Sequence, residues 1–110
     1  PGSTASGLEI LGRNGEWLAV EAHHEHIIVD SGDMMQNLTN GLLRSTTHRV
    51  VNPEDPTTKR FSMPCFIHPK RDADLTPRPK CVAQTGGEAK FPALSAGEYL
   101  RRRLEEIGIA

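Results

Sequence analysis

The fold is indicated most clearly by residues Arg44–Phe66, with the sequence RSTTHRVVNPEDPTTKRFSMPCF. Two runs that contain β-branched and aromatic residues flank a central segment rich in Pro, Asp and Thr. This pattern predicts two strands, Ser45–Val51 and Arg60–Ile67, joined by a loop over 52–59. The chemistry of the region then depends on which side chains the two strands present to the same side.

Alternation along a strand places Thr46, His48 and Val50 on one face, and Arg60 and Ser62 on one face of the next strand. Imidazole suits a divalent metal such as Fe(II), and arginine with a nearby hydroxyl suits a carboxylate. If both faces point into one barrel, the group can bind an oxo-acid beside a metal. The alternative is a structural polar pair at a sheet edge, because Arg-x-Ser alone has no specificity.

The flanking sequence predicts further short strands. Gly7–Leu11 alternates apolar and polar residues, and Asn14-Gly15 predicts a type I′ turn into a second strand, Trp17–Val20. Trp17 is expected to pack the hairpin onto the sheet. His26–Val29 is predicted as a buried strand.

A short helical turn is predicted next, before the two strands of Arg44–Phe66. Asp30 is expected in the turn that precedes it, and Asp33 is expected to cap it. Met34 and Met35 are expected to face the core. Asn40-Gly41 is expected to end the turn.

The C-terminal part of the chain contains coil and then one helix. Residues 68–94 are rich in Pro, Gly and charge, which predicts irregular coil. Ser95 and Glu98 form a capping box that begins a helix over about 95–107, and Gly108 ends it. The expected apolar face of this helix comprises Leu100, Leu104 and Ile107. Two ion pairs are expected on its solvated side, Arg101–Glu105 and Arg102–Glu106. Strands over about 7–67 followed by a helix indicate a mainly β fold, either a sandwich, a jelly roll or part of a barrel.

Composition bounds the classes of function. The chain of 110 residues allows one domain at most, and 36% hydrophobic with 25% charged residues is typical of a soluble globular protein. A net charge of −1 gives no indication of a nucleic-acid or membrane partner. Two cysteines form no disulfide framework: Cys65 is expected to be a small buried hydrophobe and Cys81 a loop thiol. No signal peptide is visible. Because the two cysteines are expected to be reduced, a cytoplasmic location is expected.

Three motifs give the chain a family resemblance: SGDMMQNLTNG from Ser31, STTHRVV from Ser45 and RFSMPCF from Arg60. In this order and spacing they resemble the C-terminal core of the isopenicillin N synthase-like Fe(II)/2-oxoglutarate-dependent oxygenases. The upstream SGLEILGRNGEWLAV and the downstream LSAGEYLRRRLEEIG also fit. The resemblance therefore covers nearly the whole chain.

The resemblance implies a partial double-stranded β-helix, a cupin-like jelly roll with a C-terminal helix. It implies that His48 is the distal histidine of a two-His-one-carboxylate iron site, and that Arg60 and Ser62 bind the distal carboxylate of 2-oxoglutarate. In isopenicillin N synthase itself the equivalent pair holds a substrate carboxylate, so both ligands stay open. The implied activity is oxidation of a small-molecule substrate by O₂ with decarboxylation of 2-oxoglutarate.

The sequence departs from the family pattern at its start. The family's His-x-Asp metal motif precedes the Gly7–Val20 hairpin, and this chain begins just after that point. The chain, which starts at Pro1 without an initiator Met, is therefore expected to be a C-terminal fragment of an oxygenase, inactive alone. It is also expected to self-associate or to need the N-terminal part.

Three alternatives remain open. The cluster His23-His24-Glu25-His26 can bind Zn or Ni, although its place after the hairpin favours a solvated turn. The chain can instead be a non-catalytic, truncated jelly roll kept for binding or oligomerisation, since half a barrel exposes sheet edges. A sugar-binding or seed-storage cupin is the third alternative, but only His48 lies on a predicted strand in the required way.

Overall fold

Strand pairing begins with the predicted hairpin, in a computed structural model that describes residues 3–21 and 25–109. Strands β1 (Leu8–Leu11) and β2 (Trp17–Ala19) pair antiparallel. A third strand, β3 (His48–Val50), pairs antiparallel with the other edge of β1, which gives the order β2-β1-β3. This sheet belongs to one compact unit, formed from residues 1–30 and 46–66; the second unit comprises 31–45 and 67–110.

The hairpin turn differs from the predicted type I′ turn. The Gly15 N–H donates to the Gly12 carbonyl at 3.0 Å, and the Gly12 N–H donates to the Glu16 carbonyl at 2.8 Å. Gly15 has a φ of 82°, whereas Asn14 has no positive φ. A type I′ turn requires positive φ at both central residues, so this is instead a three-residue loop that ends on a left-handed glycine.

The two faces of the sheet have different chemistry. Ile10 pairs with Leu18 on one side and with His48 on the other, so these three side chains share a face. On the opposite face the Arg49 guanidinium lies 4.0 Å from the centre of the Trp17 ring, and its Nε donates to Glu9 at 2.6 Å. Trp17 therefore contributes a cation–π contact that spans the three strands.

Two predicted strands do not form. His26–Val29 was expected to be buried, but Ile27 and Val29 are 83% and 88% exposed and no strand contains them. Arg60–Ile67 also forms no strand. The Thr4 N–H donates to the Phe61 carbonyl at 3.0 Å, and the Thr4 side-chain hydroxyl accepts from the Phe61 N–H at 2.9 Å. A ladder needs repeated bonds between backbone groups, and only the first of these two is such a bond.

The expected burial of Cys65 is wrong for the same reason. Cys65 lies in the segment after Arg60 and is exposed. Phe61 and Met63, on the same segment, are 64% and 73% exposed. Among the described residues, no strand forms from this segment that would bury these side chains.

The second unit begins with α1 (Asp33–Leu38). The N-cap is Gly32 and no side chain caps the helix, so Asp33 is its first residue and not its cap. Met35, expected in the core, is 43% exposed, whereas Asn37 is 1% exposed. The helix ends as predicted, because Asn40 adopts a φ of 53° before Gly41 at 83°.

Two buried asparagines hold α1 against the segments that follow it. Asn37 Nδ2 donates to the carbonyls of Leu75 at 2.7 Å and Pro92 at 3.1 Å, while Asn37 Oδ1 is buried without a hydrogen-bond partner among the described residues. The Asn40 amide donates to Thr85 Oγ1 at 2.6 Å and accepts from the Lys90 N–H at 2.7 Å. Leu75, 2% exposed, lies in the small core of this unit.

The predicted coil over 68–94 contains a helix, α2 (Pro79–Gln84). Pro79 is its first residue, a position where proline's fixed φ favours the helix and its missing N–H costs nothing. Cys81, expected in a loop, therefore lies on a helix and is half-buried. High Pro and Gly content concealed this short helix.

The C-terminal helix, α3 (Ala96–Glu106), confirms the predicted cap and stop. Ser95 Oγ accepts from the Glu98 N–H at 3.2 Å, and Gly108 adopts a φ of 74° just beyond the helix. Its predicted apolar face is only partly covered, since Leu100 and Ile107 are 39% and 61% exposed.

The ion pairs of α3 are partly as predicted. Arg101 pairs with Glu105, as expected, and also with Glu98 at 2.8 Å. Arg102 pairs with Glu98 at 2.9 Å instead of Glu106, which is paired with Arg103 at 2.7 Å. Glu98 thus accepts from two guanidinium groups in the first turn, where its charge also favours the helix dipole.

Acid should weaken α3 through Glu98. Hydrogen bonds from Arg101 and Arg102 lower the pKa of Glu98 from its ordinary value of 4.5 to about 2. A depressed folded-state pKa contributes stability above the unfolded value that is lost as the pH falls through the folded one. Helicity followed by far-UV circular dichroism should therefore decline between pH 4.5 and about 2. Glu98→Gln should flatten this part of the profile, and an unchanged profile would contradict the role of Glu98.

Candidate functional site

His48 is placed on β3, opposite Ile10 of β1. Its Nδ1 lies 3.1 Å from the Thr46 carbonyl oxygen and 3.6 Å from Asp30 Oδ2. The side chain is 57% exposed. Because the Thr46 oxygen can only accept, the hydrogen bond at 3.1 Å requires a proton on Nδ1. In the neutral ring, Nε2 then carries the lone pair that a metal needs.

Arg60 and Ser62 are in direct contact, as their alternation predicts. Arg60 Nη1 donates to Ser62 Oγ at 3.1 Å, and Arg60 Nε donates to the Ser6 carbonyl at 3.2 Å. The hydroxyl accepts this bond and keeps its own proton to donate. A guanidinium with further N–H donors beside a hydroxyl donor is suited to a carboxylate.

Gly7 connects Arg60 to the sheet. It has a φ of 126°, and a Cβ at this position would lie 2.4 Å from the Val51 carbonyl oxygen and 3.6 Å from Arg60 Nε. The Gly7 carbonyl accepts from the Val51 N–H at 2.8 Å. The close approach of these two backbones thus holds Ser6, the anchor of Arg60, against the end of β3.

A depression of about 420 Å³ lies beside Arg60, and the loop after β3 forms its other walls. Asp55 lines it, but this carboxylate accepts from the Thr57 N–H at 2.9 Å and from the hydroxyls of Thr57 and Thr58. These hydrogen bonds lower the pKa of Asp55. The Asp55 carboxylate is therefore engaged in its own turn by these hydrogen bonds, and Arg60 is the cationic residue that lines the depression.

The described residues contain no complete metal centre, and His48 is the one ligand that the sequence predicts among them. No group of three His, Cys, Asp or Glu side chains within residues 3–21 and 25–109 is arranged to hold a metal. The prediction for the cluster at residues 23–26 lies partly outside the described residues, which do not include His23 and His24. No hydrogen bond or ion pair joins His48 to Arg60 or Ser62 in the described chain. His48 fits an iron centre as a single imidazole ligand.

Sequence reasoning missed three residues of this site. Ser6 contributes only its backbone carbonyl, and Gly7 contributes the space of a missing side chain, so neither has a side-chain signal. Asp30 was assigned to a turn, but its carboxylate faces His48. Asp30 lies eighteen positions before His48, and no local pattern predicts such a contact.

Comparison with known proteins agrees with the motifs. The model of the 2OG-Fe(II) oxygenase superfamily matches residues 2–69. The chain is 32% identical over 97 residues to 1-aminocyclopropane-1-carboxylate oxidase 1 of Malus domestica, covering 87% of this chain and 30% of that protein. It is 39% identical over 97 residues to oxidase 2 of the same organism, covering 87% of this chain and 28% of that protein.

Solved structures of other proteins are also similar to the chain. A 2OG-Fe(II) oxygenase family protein from Caulobacter crescentus superposes with a TM-score of 0.78 at 35% identity, covering 93% of this chain and 34% of that one. A full-length protein from Neurospora crassa, solved in complex with alpha-KG, superposes with a TM-score of 0.77 at 28% identity, covering 91% of this chain and 34% of that one.

The chain belongs to the 2OG-Fe(II) oxygenase superfamily, because the family model matches more than half of it. Fe(II) and 2-oxoglutarate are the metal and cosubstrate for which this family of oxidoreductases is named. The chain spans less than a third of the two curated relatives described above. Among its described residues, the structure contains a three-stranded antiparallel sheet and three helices.

Gly7→Ala should disrupt the site through the sheet. The added Cβ would meet the Val51 carbonyl at 2.4 Å, in a backbone conformation that disfavours side chains. Amide hydrogen exchange at Val51, whose N–H donates to Gly7, should accelerate by about tenfold or more, since about 1.4 kcal/mol corresponds to a tenfold change. Gly32→Ala, where a Cβ meets nothing within 4 Å, is the control and should leave Val51 protected. Equal exchange in both variants would contradict the close approach.

Proposed function

We propose that this chain is the C-terminal part of a non-haem Fe(II)/2-oxoglutarate-dependent oxygenase. Its contribution is one iron ligand, His48, and one carboxylate anchor, Arg60 with Ser62. The observation that carries the proposal is the family match over residues 2–69, which includes all three residues. The direct contact of Arg60 with Ser62 and the acceptor facing His48 Nδ1 support these roles.

His48 would act through Nε2. The Thr46 carbonyl holds Nδ1–H at 3.1 Å, which orients the ring from the side opposite to the metal. A hydrogen bond from the second ring nitrogen to a carbonyl is the usual way in which a protein fixes a ligating histidine. Two further ligands, expected from a His-x-Asp motif, would have to come from outside the present sequence.

Arg60 and Ser62 would hold a carboxylate close to the metal. The Ser6 carbonyl occupies Nε of the guanidinium, and Ser62 Oγ occupies one N–H of Nη1. The remaining N–H groups and the Ser62 O–H can donate to both oxygens of one carboxylate. Once bound, Fe(II) and 2-oxoglutarate supply the activation of O₂, with loss of CO₂ from 2-oxoglutarate. The residues of this chain bind and orient these groups.

The carboxylate held by Arg60 is proposed to be that of 2-oxoglutarate. The Neurospora crassa relative, 28% identical, is known in complex with alpha-KG, which supports this assignment. The alternative is a substrate carboxylate, and the Malus domestica relatives are named for a substrate that carries one. The oxidised substrate is proposed to be a small molecule.

The chain alone is expected to lack oxygenase activity, because one imidazole cannot hold Fe(II) firmly. Its coverage of less than a third of the two Malus domestica relatives supports the interpretation that it is one part of a longer enzyme. Several apolar side chains of the first unit are more than 60% exposed, and we expect the remainder of the fold or a second copy to cover them. They include Ile27, Val29, Phe61, Met63 and Phe66. None of the described helices is long and apolar enough to cross a membrane.

Binding of 2-oxoglutarate to the chain should depend on Arg60. Arg60→Gln removes the charge and the fork, and should weaken binding by about tenfold or more, because a hydrogen bond to a charged group contributes about 1.5–3 kcal/mol. Arg60→Lys should be intermediate, since it keeps the charge and loses the bidentate geometry. Chemical-shift titration with 2-oxoglutarate measures both effects.

The matched control is Arg13→Gln, which removes an exposed arginine in the hairpin turn. It should leave the affinity within about twofold, because a remote exposed charge contributes little. Equal weakening by Arg13→Gln and Arg60→Gln would show non-specific attraction and would count against the anchor. A monocarboxylate that binds as strongly as 2-oxoglutarate would favour a substrate carboxylate at this position.

A further inference from the structure

We propose that Asp30 is a positioning residue: together with the Thr46 carbonyl, it fixes His48 as the Nδ1–H tautomer and directs the Nε2 lone pair towards the metal. The inference rests on the proposed role of His48 as an iron ligand. It deepens that role by naming the groups that orient the ligand from behind.

Two oxygen atoms surround His48 Nδ1. The Thr46 carbonyl lies 3.1 Å away, within hydrogen-bonding distance, and Asp30 Oδ2 lies 3.6 Å away, too far for a good hydrogen bond but close enough for an electrostatic interaction. Both are acceptors, since a carbonyl has no proton and an ionised carboxylate has none either. The opposite tautomer would place the Nδ1 lone pair against two negative oxygens. The arrangement therefore selects Nδ1–H.

Asp30 is excluded as a ligand of the same metal by its side of the ring. It faces Nδ1, whereas a metal bound by His48 under this arrangement lies at Nε2. A carboxylate behind a ligating imidazole raises the basicity of the ligand and fixes its orientation. Asp30 thus supports the ligating histidine and is not itself a metal ligand.

Exposure separates this role from simple stabilisation. The side chains of His48 and Asp30 are 57% and 39% exposed, and pairs of this kind contribute little to the free energy of unfolding. The tautomer is more sensitive, because it depends on the small difference between two neutral forms of one ring. A change in tautomer without loss of the fold is therefore the specific signature of a positioning residue.

The test measures the side-chain ¹⁵N shifts of His48 in the labelled chain, well above the ordinary imidazole pKa of about 6.5. His48→Gln assigns the signals. The parent chain should show Nδ1–H as the main tautomer, and Asp30→Ala should shift His48 towards Nε2–H. Asp30→Asn keeps the shape of the side chain and an acceptor oxygen but removes the charge, so it should give a smaller shift towards Nε2–H. If the alanine variant fails to fold, the asparagine variant provides the test.

The control is Glu9→Gln, which removes a carboxylate from the opposite face of the same sheet, where Glu9 contacts Arg49. It should leave the His48 tautomer unchanged. The proposal is overturned if His48 keeps the parent tautomer in both Asp30 variants, or if Glu9→Gln changes it as much.

A second readout uses Co(II) as the metal probe. The Co(II) concentration that half-broadens the His48 ring signals should rise by about tenfold in Asp30→Ala, as expected for the loss of a group that supports a ligand. If Co(II) never reaches His48 in the parent chain even in large excess, where a single imidazole ligand still binds weakly, the metal-ligand role in the proposed function fails. In that case the ¹⁵N shifts still decide whether Asp30 sets the tautomer, so the two failures are distinguishable.

Discussion

The pairing of β1 with β3 is the constraint on which the candidate site depends. It joins a local hairpin to a strand about forty residues further along the chain, with Leu8 opposite Val50 and Ile10 opposite His48. Two hydrogen bonds extend it, from Leu11 to the Thr47 carbonyl and from Val51 to the Gly7 carbonyl, each at 2.8 Å. A slip of one residue would turn His48 to the face of Arg49 and Glu9.

The same pairing fixes the position of Arg60, the proposed carboxylate anchor. Because Gly7 lies against the Val51 carbonyl, the preceding Ser6 carbonyl is available to hold Arg60 Nε. The anchor therefore needs no regular strand after the loop, and Arg60 and Ser62 meet although their segment lacks a ladder. Local backbone contacts replace the strand that sequence pattern predicted.

The sequence predicted the elements whose signals are local. The hairpin and α3 follow from alternation and a capping box, and Ser95 and Gly108 lie where their side-chain chemistry requires. The contact of Arg60 with Ser62 follows from their spacing of two. The roles assigned to His48, Arg60 and Ser62 came from the family resemblance, since spacing alone did not distinguish them from a structural group.

Features that depend on distant partners were not predictable in this way. Asn37 and Asn40 are buried because backbone groups more than thirty residues away accept from or donate to their side-chain amides, and no local pattern indicates such partners. Strand formation at His26–Val29 failed because an apolar run forms a strand only where a neighbour supplies hydrogen bonds. Asp30 could be placed beside His48 only by the folded chain.

His48 is proposed as one ligand of an iron centre whose other ligands come from a longer protein. Determination of the coding sequence immediately upstream of Pro1 tests this proposal. An in-frame His-x-Asp motif is expected shortly before the hairpin that begins at Gly7. A start codon at that point, with no such motif upstream, would contradict the proposed iron centre and favour a non-catalytic module.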